Sequence, residues 1–148
     1  MRISTRGRYS LEALLYMAVS SGTEYRSVRN ISEATGISEG YIEQLFIPLR
    51  KAGIVRGIRG PSGGYVPGRE LDKITVGDIL RIVEGDLRPA DCVSVDGESG
   101  DTCPIYAGCG SRKIWEELYL GIRLCLDSIN LADLAKSYSA MEMAEDPQ

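Results

Sequence analysis

Apolar positions recur at helical spacing through the first third of the chain. They are Leu11, Leu14, Leu15 and Ala18, then Val28, Ile31 and Ala34, then Ile42, Leu45, Phe46 and Leu49. The pattern predicts a first helix from about Thr5 to Ser20, closed by Ser21 and Gly22. A second, shorter helix starts at Ser27 as N-cap and stops at Gly36; Ser38 caps a third that ends near Gly53. Only Gly36 and Ile37 separate the last two, so they form a tight helix-turn-helix. Pro48, inside the third helix, removes a backbone donor and is expected to kink or break it.

Beyond Gly53 the pattern changes. Two short β-prone runs, Ile54-Val55-Arg56-Gly57-Ile58-Arg59 and Tyr65-Val66, flank the tip Gly60-Pro61-Ser62-Gly63-Gly64 and read as a basic hairpin, or wing. Thr75 opens a fourth helix with Asp78 at the capping-box position and Ile79, Leu80, Ile82 and Val83 apolar, up to Gly85. Residues 86–110 are rich in Asp, Gly, Ser and Pro and read as a long loop, a length usually tied to function or disorder. A long helix begins at Ser111, with Ile114, Leu118, Ile122, Cys125 and Ile129 in one stripe widened by Trp115 and Leu126. That stripe needs a partner surface, most simply the same helix of a second copy. Asn130 caps a short final helix, Leu131-Ala132-Asp133-Leu134, and the tail from Glu142 is polar and expected to fray.

The predicted fold is mainly α with a small β wing: a winged helix-turn-helix plus a long C-terminal dimerisation helix. Four segments follow: a DNA-binding domain at 1–85, a cysteine-containing sensor loop at 86–110, a dimerisation helix and short terminal helix at 111–141, and a tail at 142–148.

Charge sharpens this picture. The 148-residue chain carries a net charge of −4, which by itself argues against nucleic acid. Residues 1–70 nevertheless hold 10 Lys/Arg against 6 Asp/Glu, whereas residues 71–148 hold 7 against 15. The cationic half is the half with the helix-turn-helix. No apolar run approaches the ~20 residues of a membrane span, and no signal-peptide core follows Met1, so a cytoplasmic location without membrane contact is the expectation.

In a helix-turn-helix the start of the second helix meets base edges in the major groove. Here that start presents Ser38, Glu39, Tyr41, Glu43 and Gln44. Gln44 can pair with adenine through both amide atoms, and Glu43 can accept from the cytosine amino group. The two glutamates also repel phosphate and so penalise wrong sequences. In the wing, Arg56 and Arg59 are candidates for phosphate or the minor groove, while Gly60, Ser62, Gly63 and Gly64 form a tip that can approach DNA closely. Arg2, Arg6, Arg8, Arg26, Arg29, Arg50 and Lys51 are candidate phosphate clamps.

Four cysteines, Cys92, Cys103, Cys109 and Cys125, lie in the rear half alone, and the chain has no histidine. In a reducing compartment such cysteines are thiols or metal ligands rather than disulfides. Cys125, on the apolar stripe, reads as a small buried hydrophobe. The absence of histidine and of any nucleotide or nucleophile motif argues against an enzyme.

With these motifs in view, the sequence resembles the IscR-type family of bacterial winged-helix regulators, which includes NsrR- and CymR-like members. The resemblance runs from Met1 to about Ala135. It is carried by Arg2-Ile3-Ser4-Thr5-Arg6-Gly7-Arg8-Tyr9, Ile37-Ser38-Glu39-Gly40-Tyr41-Ile42-Glu43-Gln44-Leu45, Leu49-Arg50-Lys51-Ala52-Gly53, Arg59-Gly60-Pro61-Ser62-Gly63-Gly64-Tyr65 and Thr75-Val76-Gly77-Asp78-Ile79. It implies a homodimer with crossed long helices that binds a near-palindromic double-stranded operator and represses or activates genes of cluster assembly, sulfur metabolism or stress. Glu43 and Gln44 then fall on the recognition helix and Arg59 in the wing.

The resemblance also implies an iron–sulfur cluster, 2Fe–2S, held by Cys92, Cys103 and Cys109, since cluster-binding members carry three cysteines in this interval. Cys109 precedes Trp115 by the family interval. Ten residues separate Cys92 from Cys103, against a shorter, even spacing in the type member. The type member's histidine ligand falls at Arg112, and the acidic ligand of NsrR-like members falls at Arg8. The fourth ligand is thus a carboxylate, another oxygen or nitrogen donor, a small molecule or a group from the partner subunit, with Glu98, Asp101 and Tyr106 nearby. The alternative is a cluster-free regulator of cysteine and sulfur metabolism, controlled by a partner enzyme or by thiol oxidation.

Overall fold

The computed structural model describes residues 2–20, 25–93 and 103–145. Ser21 and Gly22, the residues expected to end the first helix, lie outside them, as do Glu98, Asp101 and the last three residues of the tail.

Six helices and one hairpin follow in order: α1 (Thr5–Val19), α2 (Val28–Thr35), α3 (Glu39–Lys51), β1 (Val55–Ile58), β2 (Gly64–Pro67), α4 (Val76–Glu84), α5 (Arg112–Ser128) and α6 (Leu131–Glu145). Short polar side chains start most of them. Ser4 accepts from the Gly7 amide and Ser38 from the Tyr41 amide, while Ser27 with Asn30 and Thr75 with Asp78 complete capping boxes. Each such cap is worth about 1 kcal/mol. Between α2 and α3 the chain reverses at Gly36, whose φ of 73° is the left-handed conformation that a Cβ disfavours.

One core gathers α1, α2, α3, α4 and α6. Phe46, Ile31, Ile42, Leu49, Ile54 and Ile79 are all fully buried in it. A smaller cluster of Val76, Leu80 and Leu87 receives Ile3, Leu126, Ile129 and Leu134, and so ties α4 to the chain ahead of α1 and to α5 and α6. β1 and β2 pair antiparallel with Arg56 opposite Val66 and Gly57 opposite Tyr65. The Tyr65 ring meets Phe46 edge-on at 4.8 Å, and its backbone exchanges two 2.8 Å hydrogen bonds with Arg26. The wing is therefore docked on α3 and on the entry to α2. Among the described residues, no helix is long and apolar enough to cross a membrane.

Four expectations change. The final helix spans 15 residues, Leu131–Glu145, instead of ending at Leu134. Leu131 and Ala135 bury against the core, and small residues there carry little periodic signal. The tail expected from Glu142 is corrected too, because residues 142–145 are helical. α3 continues through Pro48 to Lys51 without a break. The carbonyl that Pro48 leaves unbonded belongs to Gln44, an exposed residue where water can serve as donor. Ala34 is exposed rather than inward, leaving Ile31 as the buried residue of α2.

Candidate nucleic-acid interface and sensor segment

α3 divides by periodicity. Ile42, Leu45, Phe46 and Leu49 face the core, leaving Ser38, Glu39, Glu43, Gln44, Arg50 and Lys51 exposed on the other side. Tyr41 departs from this: it is half-buried, its ring edge-on to Tyr9 at 5.9 Å, so it props the start of α3 on α1. The turn ahead of α3 is seated by Ile37, which is buried.

Arg50, Arg56 and Arg59 line a single open groove of about 910 Å³ between the end of α3, the wing and the start of α2. Arg56, Arg59, Gly60 and Ser62 are exposed, and Gly63 is half-buried with its N–H donating to the Gly60 carbonyl at 2.9 Å. Arg2, Arg6 and Arg8 are also exposed but lie elsewhere, around the first turn of α1. Two of the candidate clamps are engaged within the chain. The Arg26 guanidinium donates to the Ser20 carbonyl, and Arg29 pairs with Glu33 at 2.9 Å.

The cysteine-bearing segment leaves α4 through well-anchored residues. Asp86 pairs with Arg88 at 3.1 Å and accepts from the buried Tyr119 hydroxyl of α5, and Leu87 and Val93 are buried. Cys92, Cys103 and Cys109 are half-buried, unpaired thiols. Cys109 Sγ lies 3.4 Å from Ser111 Oγ; this hydrogen bond, aided by the Arg112 charge, lowers the thiol below its ordinary value. The Arg112 guanidinium stacks over the Tyr106 ring at 4.7 Å and pairs with Glu116 at 3.3 Å. Among the described residues, no three Cys, Asp or Glu side chains come close enough to hold a metal ion, so the three thiols are not gathered here. Their chemistry still fits iron–sulfur: three thiols outside any disulfide, one of them biased toward thiolate.

Cys125 is exposed, not buried, because its own chain covers the α5 stripe at Leu126 and Ile129 and leaves the face around the thiol open. Ile114, Trp115, Leu118, Leu120 and Leu124 are exposed with it.

Sequence reasoning missed the contacts that orient these parts. Tyr65 on Phe46, Tyr9 on Tyr41 and Asp86 on Tyr119 join residues far apart in the chain, and no periodicity marks them. One signal was available: Glu84 closes α4 at the end where a carboxylate opposes the helix dipole, which points to a partner elsewhere.

The family profile Rrf2, described as an iron-dependent transcriptional regulator, matches residues 3–137. The HTH-type transcriptional regulator CymR of Bacillus subtilis is 40% identical over 135 residues, 91% of this chain and 90% of that protein. The HTH-type transcriptional regulator IscR of Xenorhabdus nematophila is 36% identical over 146 residues, 98% of this chain and 85% of that protein. The solved structure of CymR, described as the global cysteine regulator of B. subtilis, superposes with a TM-score of 0.74 at 39% identity, covering 93% of this chain and 98% of that one.

Proposed function

The chain belongs to the Rrf2 family of transcriptional regulators, and on that premise we propose that it binds a near-palindromic operator as a homodimer and adjusts its grip to iron–sulfur status. One observation carries the DNA reading: the exposed polar face of α3 adjoins a groove lined by Arg50, Arg56 and Arg59. In this reading Gln44 and Glu43 read base edges, Ser38 and Glu39 border them, and the wing arginines with Arg2, Arg6 and Arg8 hold phosphates. The exposed apolar stripe of α5 packs against its copy, which places two α3 helices on successive major-groove faces.

Cys92, Cys103 and Cys109 are the residues that would hold a 2Fe–2S cluster, with a fourth ligand that is not histidine. When bound, the cluster supplies a one-electron, oxidant-sensitive centre. The chain's own part is mechanical. Asp86, Leu87 and Val93 fix the segment's exit from α4, and Tyr119 links it to the dimerisation helix. Rearrangement of the segment thereby alters how the two DNA-binding units are spaced. Repression is the expected sign of regulation.

Two experiments test this. Wild-type protein should enrich a near-palindromic site from a random duplex pool; failure to enrich any sequence would overturn the DNA reading. Anaerobic reconstitution should yield a coloured protein with about two irons and two sulfides per chain, bleached by Cys92→Ala. A colourless wild type would replace the cluster with a thiol switch or a partner enzyme of cysteine synthesis, leaving DNA binding intact.

A further inference from the structure

The last residue of α4 acts at the start of α1. Glu84 Oε1 accepts from the Ser4 amide at 3.2 Å, from the Gly7 amide at 2.9 Å and from the Ser4 hydroxyl. The first turn of a helix carries unsatisfied N–H donors and the positive end of the dipole, so a carboxylate is stabilised there. Gly7 is buried, and a Cβ at this position would collide with the Glu84 carboxylate, so the contact requires glycine.

Arg6 and Arg8 flank Gly7 in that turn, and Arg2 lies just ahead; all three are exposed. Successive helical residues are about 100° apart, so holding Gly7 against Glu84 sets the directions in which Arg6 and Arg8 project. Ile3 is packed into the small apolar cluster with Leu80 and Leu87, fixing the chain beside Arg2. Residues 84–87 therefore make three attachments within four positions: Glu84 to the first turn of α1, Asp86 to Tyr119 of α5, and Leu87 to the cluster that holds Ile3 and Leu126. The cysteine-bearing segment departs from the same place.

We propose that Glu84 is a positioning residue for DNA binding. It aims the Arg2, Arg6 and Arg8 arm at the phosphate backbone from the junction where the sensor segment leaves α4, so that displacing residues 84–87 releases the arm. This rests on the reading of those arginines as phosphate contacts. A charge-only account has the opposite sign, since removing an anion near DNA tightens binding.

The test is fluorescence anisotropy of the full-length dimer on a labelled duplex selected by the wild type, over a range of salt. Each phosphate contact contributes about 0.9 to the slope of log K against log salt. Glu84→Ala is expected to flatten that slope by about 1–2 and to weaken binding about tenfold at physiological salt. Glu84→Gln keeps an acceptor oxygen and should stay within about twofold of wild type. In an Arg6→Ala/Arg8→Ala background, Glu84→Ala should cost almost nothing further. Tighter binding, an unchanged slope, an equal loss in the arm-less background, or a Gln variant as impaired as Ala would each overturn the proposal. If Arg6→Ala/Arg8→Ala alone leaves the slope unchanged, the arm reading itself fails. If that variant flattens the slope and Glu84→Ala does not, the arm stands and the positioning role falls.

Discussion

α3 and α5 are both amphipathic helices, and they spend their apolar faces differently. On α3, Ile42, Leu45, Phe46 and Leu49 are at most 1% exposed, covered by α1, α2, α4 and β1 of the same chain. On α5, Tyr119 is the buried residue, while Ile114 is 60%, Leu118 46% and Trp115 37% exposed. α3 is completed by its own chain, so its outward face is available to read a partner. α5 is left incomplete, and contiguous exposed apolar surface of this kind marks an association site. In the proposed reading, the same periodic pattern makes a reading head in one place and an assembly face in another. What separates them is whether the chain returns to cover the stripe.

The strongest way to break this comparison is to damage each apolar face in turn. Phe46→Ala should cost about 3–5 kcal/mol of stability, enough to unfold much of the protein in thermal melts. Leu118→Asp should leave the helical circular-dichroism signal in place while converting dimer to monomer in sedimentation. A Leu118→Asp protein that stays dimeric would remove α5 from the interface.

A finer test separates reading from gripping on the DNA side. Gln44→Ala should relax preference at one base pair by about 1–3 kcal/mol, whereas Arg59→Ala should weaken all sequences alike and lower the salt slope by about 1. Specificity profiles from a randomised site distinguish the two. A uniform loss in Gln44→Ala would demote that side chain from base reading.

The smallest effect concerns Tyr119, the buried point of α5. Burial first, and then the hydrogen bond to Asp86, raise its phenol above the ordinary value of about 10. The folded state holds this proton more tightly than the unfolded chain does. Its contribution to stability is therefore full below pH ~10 and is lost as pH rises through the raised value. Tyr119→Phe should flatten the alkaline fall in urea-unfolding stability above about pH 10. An identical fall in both proteins would refute the assignment.

Much of the helix-turn-helix was legible because its signals are local. Ser27, Ser38 and Thr75 announce helix starts within a few residues, Gly36 announces the turn, and the inward positions of α3 follow the 3.6-residue period. Tyr41 was misplaced as exposed because its partner, Tyr9, lies 32 positions away. α6 was underestimated because Ala and Ser positions show little contrast, although burial of Leu131 and Ala135 gives that helix its reason to persist.

By itself the sequence determined the order of elements, the cationic front half, the three thiols of the rear and the apolar stripe of α5. Local propensity and periodicity are written in neighbouring residues, so these need no fold to be read. Only the tertiary structure decided that Arg50, Arg56 and Arg59 share one groove and that Tyr65 docks the wing on Phe46. It also decided that Glu84 caps a helix some 80 residues earlier in the chain. Those facts depend on which surfaces meet when the core closes, and packing distant segments together is a property of the whole chain rather than of any window along it.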